Sequence, residues 1–116
     1  MHYSAHPFER RRRDFALEVI PDRDRVLVAP MGELDLSTVD EVWERIQQLR
    51  RDGVESVVLD LRRLTFMDST ALRLIVRARE MAQQDGFSFA LIDGNEVACR
   101  VLDVTGLREH LRFTRP

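Results

Sequence analysis

The chain of 116 residues contains no lysine, so all 18 of its basic side chains are arginine. This absence excludes the chemistry that depends on a lysine amine. A phospho-receiver site is one such case, because it combines an acceptor aspartate with an acidic pair and a lysine. Asp60 follows an apolar run, as an acceptor aspartate would. Without a lysine, that function is not supported.

Cysteine is nearly absent too, since Cys99 is the single one. One cysteine excludes an intramolecular disulfide and a zinc site built from several thiolates. Its helical setting predicts a small core residue. No apolar run is long enough to span a membrane, and residues 1–15 lack the apolar segment of a secretory signal. We therefore expect a cytoplasmic protein without a membrane partner.

Charge and motifs exclude further classes. The net charge of −2 argues against direct binding of nucleic acid. His2, His6 and His110 form no pair with metal-ligand spacing on a helix. The chain has no glycine-rich phosphate loop and no G-x-S-x-G elbow around Ser69. We expect no metal, no cofactor and no enzymatic activity.

What the chain does contain is enough apolar sequence for one folded unit. Hydrophobic residues make up 44% of it and charged residues 33%, which fits a single domain with a well-solvated surface. Residues 1–14 are polar and include four consecutive arginines, so we expect a flexible N-terminal tail. The domain itself is expected over residues 15–113.

Hydrophobic periodicity predicts an α/β fold. Alternating or continuous apolar residues indicate strands at residues 15–19, 26–29, 57–59 and 87–92, and helical spacing indicates helices at residues 39–49, 71–82 and 96–104. The first two strands form a hairpin around a turn at residues 21–24. This order predicts a mixed β-sheet with right-handed crossovers and helices packed on it.

Several local expectations follow from the same pattern. Pro30 and Gly32 end the second strand. Thr38 and Glu41 have the spacing of a capping box at the start of the first helix. In the third helix, Val97 is expected on the inward face with Val101 and Leu102, and Trp43 of the first helix is expected in the core.

The segment with the strongest functional signal is Asp68-Ser69-Thr70, just before an amphipathic helix. The free N–H groups and partial positive charge of a helix N-terminus tolerate an added phosphate. Local physics favours a simpler role, because Asp, Ser and Thr are all good N-caps. From these residues alone, capping remains the preferred interpretation of Ser69.

A family resemblance changes that balance. The matching segments are GELD at residues 32–35, VVLDL at 57–61, FMDSTAL at 66–72, and VL with TGL at 101–102 and 105–107. Together they resemble the anti-sigma factor antagonists, the STAS-domain proteins of bacterial partner-switching systems, over roughly residues 15–113. Residues 68–72 resemble the family's D-S-[ST]-G-L phosphorylation motif, with Ala71 in place of the glycine. If that glycine serves close approach of a partner, the methyl group of Ala71 would weaken kinase docking.

The resemblance implies a mechanism. An unphosphorylated antagonist binds an anti-sigma factor with serine kinase activity and so frees the sigma factor. Phosphorylation at Ser69 then breaks the complex, and a serine phosphatase resets it. A partner-binding surface is expected at Asp35, Asp68, Thr70 and Arg73. Asp35 equally suits a turn, Asp68 could equally orient the Ser69 hydroxyl or cap the helix, and Thr70 suits a helix start.

Two other functions remain open. The chain could be a constitutive STAS subunit of a lipid-transport or stress-sensing assembly, docking through the same surface without a kinase. Ser69 could also be an enzyme nucleophile, which requires a nearby base. His110 within hydrogen-bond reach of Ser69 would support that third hypothesis, and separation would end it.

Overall fold

The computed structural model describes residues 15–116. Its elements are β1 (Ala16–Asp22), β2 (Arg25–Leu34), α1 (Val39–Arg51), β3 (Ser56–Asp60), β4 (Leu64–Met67), α2 (Ser69–Asp85), β5 (Ser88–Ile92), α3 (Glu96–Val104) and a short 3-10 helix (Leu107–His110). The α/β class with a mixed sheet is confirmed. The prediction for residues 1–14 lies outside the described residues.

The sheet has the order β1-β2-β3-β5, and β4 pairs with β2 beside this path. Strands β1 and β2 form the predicted antiparallel hairpin, and the other pairs are parallel. The predicted turn begins two residues too early, because Pro21 and Asp22 still pair with β2. The turn itself is Arg23 and Asp24, with Arg23 at φ +63°.

Strand β2 is longer than predicted, and this extension builds the edge where Ser69 lies. Its first part, from Val26 to Val28, pairs with β3, and its last part, from Gly32 to Leu34, pairs with β4. The expectation that Pro30 and Gly32 end the strand is wrong. Pro30 lies where β2 passes from one parallel neighbour to the next, and Gly32 takes a positive φ of +104° at the register shift.

Strand β4 was not predicted. It is four residues long, with Leu64 and Met67 buried and the two residues between them exposed. This pattern neither alternates nor forms a continuous apolar run, so it carries neither of the periodic signals of a strand.

A single main core holds the helices on the sheet. Helix α1 buries Val42 and Ile46, and α2 buries five side chains along one face: Ala71, Leu74, Ile75, Ala78 and Ala82. They pack against strand residues such as Val28, Val57 and Leu59. Helix α2 ends at Gly86, which adopts the left-handed conformation of a C-cap.

Helix α3 has the predicted bounds, and Val101 and Leu102 pack on the core as predicted, but Val97 does not. It buries Ala98, Cys99 and Leu102, whereas Val97 is 81% exposed. The expectation for Val97 is therefore wrong, because a stripe through residues 98, 99 and 102 leaves position 97 on the outer side. Cys99 is a core residue as predicted, and burial raises the pKa of its thiol, which keeps the thiol protonated and unreactive.

Candidate functional site

Two parallel strands end side by side at the candidate site. Leu34 of β2 pairs with Met67 of β4, so the residues that follow, Asp35 and Asp68, leave the sheet at the same edge. The amide N–H of Asp68 donates a hydrogen bond to the carbonyl oxygen of Leu34 at 3.4 Å. The loop that leads into α1 and the start of α2 are therefore neighbours.

Asp68 is the residue that caps α2. Its backbone is extended, and its Oδ1 accepts hydrogen bonds from both the backbone N–H of Thr70, at 2.9 Å, and the Thr70 hydroxyl. Its carbonyl oxygen accepts from the amide of Ala71 at 3.1 Å. Of the two roles open to Asp68, helix capping is the one these contacts show, and Thr70 is the helix-start residue that completes the cap.

Ser69 is thereby left without a structural task at the helix start. It is the first residue of α2, its side chain is exposed, and its hydroxyl has no hydrogen-bond partner among residues 15–116. The interpretation of Ser69 as the cap is wrong, because the preceding carboxylate already occupies that position. Its hydroxyl faces solvent, where another protein can reach it.

Ala71, the departure from the motif glycine, does not lie on this surface. Its side chain lies on the inner face of α2 and is fully buried within the main core. The methyl group therefore does not obstruct approach to Ser69. At a helical position that faces the core, alanine is also the better helix former of the two residues.

The loop before α1 is closed by a compact hydrogen-bond network around Asp35, which is 7% exposed. The Asp35 carboxylate accepts bonds from the backbone N–H of Ser37, at 2.9 Å, and from its hydroxyl, at 2.7 Å. The Asp35 carbonyl oxygen accepts from the amides of Thr38 and Val39. The turn-forming role considered for Asp35 is thus present, and it fixes the entry into α1.

Thr38 is the N-cap residue of α1 by position, but the capping-box prediction is wrong. Its side chain makes no bond to the α1 amides. Instead its hydroxyl donates to the carbonyl oxygen of Glu33 at 2.8 Å and accepts from the amide of Asp35 at 3.0 Å. The Thr38 hydroxyl therefore closes the loop before α1 instead of capping the helix.

A groove of 270 Å³ between α1 and α2 adjoins Ser69. Thr70 and Arg73 line it from α2, and Asp40 lines it from α1. Leu36 borders it and is 76% exposed, an unusual position for a large apolar side chain. The predicted site residues Thr70 and Arg73 thus share one surface, beside the loop that Asp35 closes.

Trp43 lies at the far end of this groove and packs partly buried against the core. The guanidinium of Arg77 lies over its ring, 4.2 Å from the ring centroid, a cation–π geometry. The core prediction for Trp43 holds for the part of the ring that packs inward. Periodicity did not predict the Arg77 contact, because it joins two helices.

The residues weighed for catalysis lie elsewhere. His110 lines a depression with Arg79 and Gln83, near the C-terminal end of α2. At 1.5 Å per residue, these α2 positions are about 15–21 Å along the helix from Ser69. His110 is therefore not the base that a Ser69 nucleophile would need.

Asp60, the residue weighed as a phospho-acceptor, is a buried ion-pair partner. Arg62 donates to both of its carboxylate oxygens, at 2.9 and 2.8 Å. Burial by itself raises the pKa of Asp60, but the hydrogen bonds from Arg62 and the charges of Arg62 and Arg63 outweigh it and hold that pKa below its ordinary value of 3.8.

Within residues 15–116, no cluster of three or more His, Cys, Asp or Glu side chains is arranged to hold a metal ion. None of the helices in this described part is long and apolar enough to cross a membrane.

Comparison with known proteins agrees with this fold. The model of the STAS domain family matches residues 15–115. An anti-sigma-B factor antagonist of Staphylococcus epidermidis is 32% identical over 93 residues, which cover 80% of this chain and 86% of that protein. The chain therefore belongs to the STAS domain family, among relatives named anti-sigma factor antagonists.

Solved structures show the same fold. An anti-sigma factor antagonist from Mycobacterium paratuberculosis superimposes with a TM-score of 0.77, covering 88% of this chain and 86% of that one at 20% identity. The Bacillus cell fate determinant SpoIIAA in its phosphorylated form superimposes with a TM-score of 0.63 over 86% of this chain and 90% of that one, at 23% identity. At these identities the likeness concerns the fold alone.

Proposed function

We propose that the protein is an anti-sigma factor antagonist whose binding is switched off by phosphorylation of Ser69. Its partner is an anti-sigma factor with serine kinase activity, and a serine phosphatase restores the unmodified form. The protein itself performs no catalytic step and acts in the cytoplasm. The observation that carries the proposal is the exposed Ser69 hydroxyl, which has no hydrogen-bond partner within residues 15–116 because Asp68 caps the helix.

The surface around Ser69 suits a protein partner. Leu36 offers an exposed apolar contact, and the adjoining groove contributes Thr70 and Arg73. Exposed apolar side chains rimmed by polar groups are typical of interaction sites. In this proposal Asp35 acts by holding the loop that presents Leu36, and Asp68 acts by holding the first turn of α2.

Phosphorylation would change this surface strongly. A phosphate brings between about 1.5 and 2 negative charges and three acceptor oxygens, and it would stand directly beside the carboxylate of Asp68. The bulk and negative charge of a phosphate at the centre of an interface would oppose binding. If they cost about 2–4 kcal/mol of binding free energy, the affinity falls by about 30- to 1000-fold. The helix cap would persist, because it is made by Asp68 and Thr70.

A capture experiment tests the proposal. Wild type, Ser69→Ala, Ser69→Asp and a charge control, Gln84→Glu, are used to pull partners from a lysate of the source cell, with identification by mass spectrometry. Gln84 is exposed on the same helix, about 22 Å along its axis from Ser69. We expect every variant except Ser69→Asp to retain an ATP-binding kinase, and that kinase to phosphorylate wild type but not Ser69→Ala.

The opposite result is equally informative. If all four proteins capture the same transporter or scaffold subunits and no kinase, the surface is a constitutive dock and the switch proposal is wrong. If the Gln84→Glu variant loses the kinase along with Ser69→Asp, the effect is one of net charge, and the position of Ser69 does not explain it.

A further inference from the structure

Arg73 lies one helical turn after Ser69, and both side chains are exposed. Residues four apart are neighbours on a helix surface, with the side chain of the later residue leaning back toward the N-terminus. The guanidinium of Arg73 has no ion pair or hydrogen bond within residues 15–116. It is therefore a cation within reach of whatever is attached to the Ser69 hydroxyl.

Two carboxylates lie near this first turn. The Asp68 carboxylate precedes Ser69, and Asp40 lines the groove together with Arg73. A phosphate on Ser69 would be repelled by these carboxylates and would gain most from a nearby cation. Arginine suits that role, since its planar guanidinium donates two parallel hydrogen bonds to phosphate oxygens.

We propose that Arg73 is the internal counter-ion of phosphorylated Ser69, an inference that rests on the proposed phosphorylation of that residue. In the unmodified protein Arg73 belongs to the groove between α1 and α2. After phosphorylation its guanidinium turns to the phosphate, so the groove loses the cation nearest Ser69, while Asp40 and the more distant Arg77 remain. One modification would then both add negative charge at Ser69 and withdraw a positive group from the docking surface.

The test uses protein in which phosphoserine is incorporated at position 69 during translation, so that no kinase is needed. The second ionisation of the phosphate, with an ordinary pKa of about 6, is followed by phosphorus NMR between about pH 4 and pH 8. Because a nearby cation favours the dianion, Arg73 lowers this pKa. Removing it by Arg73→Gln is expected to raise the pKa by about 0.3 units or more.

Two further variants separate a specific contact from a general charge effect. Arg73→Lys keeps the charge without the paired donors. The phosphate pKa in this variant is therefore expected to lie between the phosphate pKa values of wild type and Arg73→Gln. Arg100→Gln removes an equal charge from an exposed position on α3 and is expected to leave the titration unchanged. Since Arg73 is exposed and unbonded in the described structure, none of these changes should unfold the domain, which circular dichroism verifies.

The proposal is overturned if Arg73→Gln titrates like wild type, or if Arg100→Gln shifts the pKa equally. The titration gives its answer whatever the capture experiment shows. A shifted pKa combined with the absence of any kinase for Ser69 would support the Arg73 contact and refute the proposed function. An unshifted pKa combined with a kinase that phosphorylates Ser69 would support the proposed function and refute the Arg73 contact.

Discussion

Substituting Asp68 and substituting its neighbour Ser69 should have different effects on the stability of the domain. Asp68→Ala removes the carboxylate that accepts two hydrogen bonds from Thr70. Ser69→Ala removes a hydroxyl with no partner among the described residues. We therefore expect Asp68→Ala to destabilise the domain and Ser69→Ala to leave it unchanged or slightly more stable.

The magnitudes follow from the roles of the two side chains. Loss of a helix N-cap costs about 1 kcal/mol, within a range of about 0.5–2, and for a domain of this size 1 kcal/mol lowers Tm by about 3–6 °C. At Ser69 alanine gains a few tenths of a kcal/mol at most, through its higher helix propensity. Asp68→Asn is the matched control, because asparagine caps as well as aspartate does and lacks the charge.

Urea unfolding followed by circular dichroism measures all three variants against wild type. We expect the midpoint of Asp68→Ala to fall while those of Asp68→Asn and Ser69→Ala stay close to wild type. A loss of about 1 kcal/mol in Ser69→Ala with no loss in Asp68→Ala would mean that the serine is the cap. In that case the unbonded hydroxyl could no longer support the proposed switch.

Three other changes test the surrounding structure. The pKa of Asp60 is lowered in the folded state, so the stability contributed by its carboxylate is present above the ordinary pKa of 3.8 and is lost as pH falls through the lower folded value. The Asp60→Asn variant should therefore be less stable than wild type at neutral pH and should lose less further stability in acid. Urea unfolding at several pH values measures both effects. Ala71→Gly should cost about 1–2 kcal/mol through lost helix propensity and a lost buried methyl group, without altering the rate at which a kinase modifies Ser69. Gly94→Ala should lower Tm, because the new Cβ would overlap the carbonyl oxygen of Leu61, and a Tm equal to that of wild type would contradict this close approach.

The long helices and the class of the fold could be predicted from the sequence, because each depends on a repeated pattern. Helix α2 places five buried residues on one face over 17 positions, which gives a strong periodic signal. Strand β4 has four residues and no alternation, and the extension of β2 past Pro30 depends on pairing with β4. Pairing of this kind is a tertiary property that a local pattern does not contain.

The start of α2 at the Asp68-Ser69-Thr70 motif could be predicted from the sequence, but the division of roles at that helix start could not. Asp68, Ser69 and Thr70 all rank as good caps, so residue type does not decide which of them closes the helix. The backbone decides it, because Asp68 is extended while Ser69 is already helical. The residue type of Asp35 suits either a turn or a partner contact, and only the folded loop shows that turn and the bond from Thr38 back to Glu33.

A phosphorylation switch that controls binding works best when the modified hydroxyl contributes nothing to the fold. In this chain the bonds that close the site belong to other groups: the Asp68 carboxylate caps α2, and the Asp35 carboxylate and carbonyl close the loop before α1. Ser69 lies between these closed elements with its hydroxyl exposed. In the proposed switch, phosphate on Ser69 would therefore change the charge and shape of the surface while the core beneath it, including Ala71, stays packed. The same arrangement explains why stability measurements on Asp68 and binding measurements on Ser69 should give independent answers, although the two residues are adjacent in the chain.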